Sequence, residues 1–297
     1  MKKKLSKLLV LLAVPMLLMG CGGNSKDSSA ENIDDSKLNV IVSINPLKEF
    51  TQIIGGDKVT VDTLVPENAE PHDFEFKPKD IERVINSKVF IYNGLGMEHW
   101  ISDLTDQLSG KNVQIVDSSK NANIIKDGNR VDPHIWLSLK EAINQGNNIK
   151  DALVEIDSAN KEYYEANYNN FKTELENLYN EYKTKFDGLK TKDFVTSHSA
   201  FGYLCRDFDL TQQSISDIFG EGEDRPQDKA NLIKFCKDNN ITTIFSEGTE
   251  TQKSAESLAD EIGGKVEPLY TMETKVEGKN YIETMKYNLE TIYSSMK

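Results

Sequence analysis

Short apolar runs alternate with helix-patterned stretches along most of this chain. Leu38 to Ile44 reads as a strand, and Pro46 opens a helix to Ile54 that Gly55 and Gly56 stop. Val59 to Val65 forms the next apolar run, and Pro78 starts a helix through Ile85. A strand at Val89 to Tyr92, a helix from Glu98 to Leu108 and a strand at Val113 to Val116 complete the first half. The second half repeats the pattern. Strand Phe194 to Thr196 leads into a helix from Ala200, and a further helix runs from Pro226 to Asn239-Asn240. Strand Ile241 to Phe245, helix Gln252 to Ile262, strand Lys265 to Leu269 and a last helix Asn280 to Met296 follow. Short strands separated by helices predict parallel βαβ units.

Between the halves the period changes. No Gly or Pro interrupts Asn160 to Phe186, and Tyr164, Tyr168, Phe171, Leu175, Leu178, Tyr182 and Phe186 recur at steps of four and three. That is the stripe of one helix, roughly 40 Å long at the α-helical rise. The fold class predicted is therefore α/β: two lobes of βα units with parallel sheets, joined by one long helix. The expected divisions are residues 38–155, the connecting helix 156–189, and residues 190–297.

The N-terminus has a different character. Lys2, Lys3, Lys4 and Lys7 precede the apolar run Leu8 to Met19, which is too short to span a bilayer and suits an export signal over residues 1–20. Residues 22–37 are rich in Gly, Ser, Asn and Asp and read as a tether with a reach of roughly 22 Å. The whole chain has net charge −13, and loss of four lysines with the signal takes it to −17. Nucleic-acid binding needs a basic face and is disfavoured. Of the three cysteines, Cys205 and Cys236 lie on apolar helical stretches and read as buried free thiols rather than a disulfide.

Only four histidines occur in 297 residues. Three stand in loops after strand-like runs: His72 in Glu70-Pro71-His72-Asp73-Phe74, His134 in Asp132-Pro133-His134-Ile135-Trp136, and His198 in Thr196-Ser197-His198-Ser199. Sites in open α/β sheets form outside the carboxyl ends of strands. Imidazoles delivered there by separate loops suit one divalent cation, with a further ligand closing a tetrahedron. Asp73 and Asp132 are candidate acceptors for imidazole N–H groups, and Glu247, after strand 241–245, points to the same mouth. His99, beside Trp100, reads as a structural histidine.

These motifs resemble those of the metal-receptor lipoproteins of bacterial ABC transporters, the ZnuA/TroA-like solute-binding proteins for zinc and manganese. The resemblance rests on Pro71-His72-Asp73-Phe74-Glu75, Asn93-Gly94-Leu95-Gly96-Met97-Glu98, Asp132-Pro133-His134-Ile135-Trp136-Leu137 and Thr196-Ser197-His198-Ser199-Ala200-Phe201-Gly202-Tyr203. It implies one metal in the cleft between two lobes, bound by His72, His134 and His198. Histidine at position 198 implies zinc rather than manganese, in keeping with the preference of imidazole nitrogen. The fourth ligand falls in Glu267-Pro268-Leu269-Tyr270-Thr271-Met272-Glu273, with Glu273 favoured over Glu267, the Tyr270 position or water. No histidine-rich loop precedes the second motif. The resemblance further implies a monomeric receptor, not an enzyme, that hands its metal to an ABC permease in the membrane. Leu18-Met19-Gly20-Cys21 resembles the lipobox, which implies cleavage before Cys21, lipid on its thiol, and anchoring to the outer face of the bacterial cytoplasmic membrane. The alternatives are a manganese receptor of the same family, a tethered zinc hydrolase and an adhesin. No H-E-x-x-H or G-x-S-x-G motif supports the hydrolase.

Replacing Cys21 by Ala is expected to leave the precursor unlipidated. A diacylglyceryl mass still carried by that variant would refute the anchor.

Overall fold

The computed structural model describes residues 37–220, 226–247 and 249–297, so the expected export segment, Cys21 and the expected tether up to residue 36 lie outside it. The first half contributes β1 (Leu38–Val42), α1 (Asn45–Gly55), β2 (Val59–Thr63), α2 (Pro78–Ile85), β3 (Val89–Tyr92), α3 (Ile101–Gln107) and β4 (Gln114–Asp117). A two-stranded antiparallel hairpin, β5 (Lys126–Asp127) with β6 (Arg130–Val131), follows, then α4 (Leu139–Ile156) and the long α5 (Lys161–Asp187). The second half contributes β7 (Asp193–Thr196), α6 (Gly202–Phe208), β8 (Thr211–Ser214), α7 (Pro226–Asp238), β9 (Thr243–Ser246), α8 (Thr249–Ile262), β10 (Lys265–Pro268) and α9 (Tyr281–Ser295).

The eight longer strands form two parallel four-stranded sheets, β2-β1-β3-β4 and β10-β9-β7-β8. Each has the same internal order: second strand, first, third, fourth. In each, the chain leaves the first strand in one direction and returns to its other side for the third. That reversal lies between β1 and β3 in one sheet and between β7 and β9 in the other, and it is where a crevice opens beyond the strand ends. The central strands are short and apolar because both of their faces are covered; Val40, Val42, Val89, Ile91, Val195 and Ile244 are fully buried.

Helix α5 carries the predicted stripe, buried at Tyr164, Phe171, Leu175, Leu178, Tyr182 and Phe186 and half-buried at Tyr168. It serves both halves. Phe171 lies 5.3 Å from Phe50 of α1, and Phe186 lies 5.3 Å from Phe208 of α6 and 5.9 Å from Tyr293 of α9. Gly146 of α4 allows the close approach, since a Cβ there would stand 2.9 Å from the Phe171 ring.

The segment after β10 crosses back to the first half. Trp136 Nε1 donates to the Thr271 carbonyl (2.7 Å), Lys275 N donates to the Glu67 carbonyl (2.8 Å), and the Tyr281 hydroxyl donates to the Trp136 carbonyl (2.6 Å). Tyr281 also sits edge-on to Phe50, 4.6 Å between centroids. Asn280 and Glu283 form a reciprocal cap that starts α9 here.

Three features depart from the sequence reading. Helix α3 begins at Ile101 rather than Glu98, because the buried Glu98 carboxylate turns back to accept the Asn93 and Gly94 amides (2.8 and 2.9 Å). Those bonds stabilise a turn in which Gly94, Leu95 and Gly96 all have positive φ, a conformation glycine tolerates. Helix α4 and strand β8 were not anticipated. Both are polar: β8 is Thr-Gln-Gln-Ser at a sheet edge, and α4 buries Gln145 and Gly146 alongside Ile149 and Leu153. Cys205 and Cys236 are free and buried, as expected.

Phe171→Ala is expected to lower unfolding stability by about 3–5 kcal/mol, the usual cost of emptying a buried phenylalanine site. Urea unfolding followed by circular dichroism measures it; a loss below about 1 kcal/mol would mean that α5 is not held by this stripe.

Candidate metal centre

Each sequence-predicted histidine stands where a loop is held by its own local bonds. His72 lies on a single 3-10 turn (Pro71–Asp73) between β2 and α2, and the Glu70 carboxylate accepts its backbone N–H at 3.2 Å. His134 precedes the turn Ile135–Leu137, after the β5–β6 hairpin. One oxygen of Asp132 accepts both the His134 backbone N–H (2.9 Å) and its Nδ1–H (2.8 Å). His198 follows β7 directly; its carbonyl accepts Thr196 Oγ1 (2.6 Å) and Gln212 Nε2 (2.8 Å), and its Nδ1 is 2.9 Å from Glu247 Oε1. Glu273 comes from the crossing segment after β10, where Met272 has positive φ and Thr271 Oγ1 donates to Glu273 Oε2 at 3.0 Å.

These loops converge. His134 Nε2 is 3.0 Å from Glu273 Oε1, His72 Nε2 is 3.3 Å from the same oxygen, and the two Nε2 atoms are 3.4 Å apart. Donor nitrogens of His72, His134 and His198 all fall within 4.8 Å of one another. Tetrahedral zinc with bonds near 2.0–2.1 Å separates its ligand atoms by about 3.3 Å, so the three measured edges have the spacing of such a shell. His198 Nε2 is buried and has no hydrogen-bond partner among the described residues. A buried polar atom without a partner is costly, and a cation beside the other three donors would give it one.

The electrostatics fit a cation. Burial disfavours charge on His134, yet its hydrogen bonds to Asp132 and Glu273 and their negative charges outweigh this and raise its pKa to about 10. Burial would raise the pKa of Glu273, but hydrogen bonds from His134 and His72 and the positive charge of the neighbouring imidazoles hold it well below the usual carboxylate range. The cluster is thus an anionic carboxylate wrapped by imidazoles whose protons a metal ion can replace.

The other candidates separate cleanly. Asp132 accepts from a histidine ring, whereas Asp73 is exposed. Glu247 bonds His198, and one of its oxygens lies within 4.8 Å of Glu273 as well. Glu267 lies on β10 and pairs with Lys265, and Tyr270 packs against Tyr287 at 5.4 Å, so neither joins the cluster. His99 is exposed just before α3. The sequence reading did not pick out Glu70 or Phe219. Glu70 is two residues before His72, a spacing that could have been read as a turn cap. Phe219 stands edge-on to the His72 ring at 5.4 Å, and Arg130 stacks over Phe219 at 5.2 Å while pairing with Asp217 at 2.8 Å; nothing local signals these long-range contacts.

Known proteins resemble this chain in sequence and fold. Residues 40–295 match the family described as zinc-uptake complex component A, periplasmic, ZnuA. The high-affinity zinc uptake system protein ZnuA of Bacillus subtilis is 34% identical, covering 100% of this chain and 99% of its own length. The laminin binding protein Lmb of Streptococcus agalactiae, described as bifunctional with adhesin and metal transporting activity, superposes with a TM-score of 0.83 at 32% identity, over 88% of this chain and 100% of its own. The zinc-bound ZnuA-like domain of Streptococcus pneumoniae AdcA gives a TM-score of 0.78 at 31% identity, over 88% and 99%. With the family match running through both sheets and the helix between them, the chain belongs to the ZnuA family of zinc-uptake components.

Proposed function

We propose that this chain is a high-affinity extracytoplasmic zinc receptor that holds the ion with His72, His134, His198 and Glu273 and delivers it to an ABC permease. The observation that carries this reading is the convergence of three imidazole nitrogens within 4.8 Å of one another, with a carboxylate oxygen 3.0 and 3.3 Å from two of them and His198 Nε2 buried and without a partner among the described residues. Zinc is the cargo. Three nitrogens and one oxygen favour it over manganese, which prefers oxygen-rich sites. Glu273 fills the position that a catalytic zinc site keeps open for water, which supports a receptor over a hydrolase. Names of relatives support the same reading, since the Bacillus subtilis protein is called a zinc uptake protein. In this reading residues 1–20 are the export signal, Cys21 carries the lipid, and residues 22–37 tether lobes 38–155 and 190–297, linked by 156–189, to the membrane's outer face. The receptor acts as a monomer.

Binding proceeds by exchange. In the metal-free cluster His134 is protonated, zinc replaces the proton on its Nε2, and Asp132 keeps its Nδ1 proton in place.

Alanine at His72, His134 or His198 is expected to weaken zinc binding by more than the roughly 10–100-fold typical of supporting residues, with Glu273→Gln also weakened and His99→Ala unchanged. Titration against a chelator of known affinity measures this, and X-ray absorption of the parent should show three nitrogens and one oxygen. Unchanged affinity in His198→Ala, or tighter binding of manganese than zinc, would defeat the assignment.

The proton exchange fixes the sign of the pH dependence. Because the His134 pKa is raised to about 10 without metal, zinc must displace a proton throughout the neutral range. Apparent affinity should rise as pH increases toward that value and fall as pH drops, by up to about tenfold per pH unit for each proton displaced. Calorimetry in buffers of different ionisation enthalpy would register the released proton; pH-independent affinity between pH 6 and 8 would contradict it.

A further inference from the structure

The three histidines are not held alike. Asp132 fixes His134 from two residues away, in the same loop. His198 has no such neighbour: its Nδ1 contact is Glu247, 49 residues further along the chain, at the end of β9. Strands β7 and β9 are adjacent and parallel, with Thr196 paired to Phe245. Their carboxyl ends therefore deliver His198 and Glu247 side by side at the point where the second sheet's strand order reverses. The ring is 4% exposed, so water does not orient it. Resting on the zinc reading above, we propose that Glu247 is a positioning residue that keeps the His198 proton on Nδ1 and so presents Nε2 to the metal.

The chemistry follows from what each group can do. An ionised carboxylate accepts hydrogen bonds and donates none. At 2.9 Å from Glu247 Oε1, His198 Nδ1 must carry the hydrogen. Nε2 then becomes the lone-pair nitrogen whenever the ring is neutral. It is also the nitrogen left without a partner among the described residues in the buried centre. Without Glu247, Nδ1–H would lose its acceptor and the ring could turn or carry its proton on Nε2, which cannot ligate. A metal-ligating histidine held by a carboxylate typically loses 10–100-fold in metal affinity when that support is removed. The geometry of the Glu247 carboxyl matters more than its charge here, because a glutamine carbonyl can accept the same N–H.

With only four histidines, the test is direct. Uniformly nitrogen-15-labelled, metal-free protein is examined by long-range proton–nitrogen NMR, with the His198 signals identified by their loss in His198→Ala. The parent should show the Nδ1–H form. Glu247→Ala should shift His198 toward the Nε2–H form and weaken zinc binding by about 10–100-fold, while Glu247→Gln should keep the Nδ1–H form and lose less than about threefold. A His198 tautomer unchanged in Glu247→Ala overturns the proposal. So does a Glu247→Gln protein that retains the tautomer but binds zinc as weakly as Glu247→Ala, since the role would then be one of charge. The tautomer is read without metal, so failure of the parent to bind zinc would refute the zinc reading separately.

Discussion

Three electron-rich atoms held 3.0 to 3.4 Å apart, with a His198 nitrogen within 4.8 Å of the other two imidazoles, repel one another and have given up most of their water. No short peptide would keep them so, and the rest of this structure can be understood as the frame that does. Each donor comes from a different loop. Three of the loops are held by backbone hydrogen bonds outside the cluster: Glu70 to the His72 amide, Asp132 to the His134 amide, and Thr196 and Gln212 to the His198 carbonyl. In the fourth, Thr271 bonds the Glu273 carboxylate itself. The cost of crowding is met during folding, so that binding spends little on ordering side chains.

The loops are in turn placed by two sheets of identical strand order. Such sheets could hinge freely if extended segments joined them. Here α5 buries one continuous aromatic stripe against α1 at one end and against α6 and α9 at the other. Bending it would expose apolar surface and break backbone bonds together. The relative position of the sheets is therefore set by core packing, which is close to crystalline in density and resists small deformations.

Much of this was legible in the chain itself. Apolar runs marked the central strands, prolines marked the starts of α2 and α7, and the spacing Tyr164, Phe171, Leu175, Leu178, Tyr182, Phe186 marked α5 almost to the residue. What escaped had no local signal. Helix α4 faces the core with Ala142, Gln145 and Gly146, and at Gly146 Phe171 occupies the space a larger residue would need. Glu98 looked like the first turn of a helix and is instead a buried acceptor for two amides. At the site, histidines in flanking motifs drew attention to their loops. The position of Glu247 after a strand already pointed it to the same mouth, and it bonds His198 there, whereas Phe219 could be connected to His72 only through folding, since that contact spans 147 positions.

The crossing segment after β10 changes how the centre divides. By chain order His72 and His134 come from the first half, His198 and Glu273 from the second. By hydrogen bonding the division is unequal: Thr271, Lys275 and Tyr281 all bond to the first half, and Glu273 lies among them. Three donors thus form a cup seated on one sheet, and the measured distances of 3.0, 3.3 and 3.4 Å are all within that cup. His198 is the lid atom, carried by the other sheet. In the proposed zinc-bound state, a displacement of the second sheet would leave a tridentate chelate intact and break a single bond, so the ion would be loosened one ligand at a time rather than torn from all four at once.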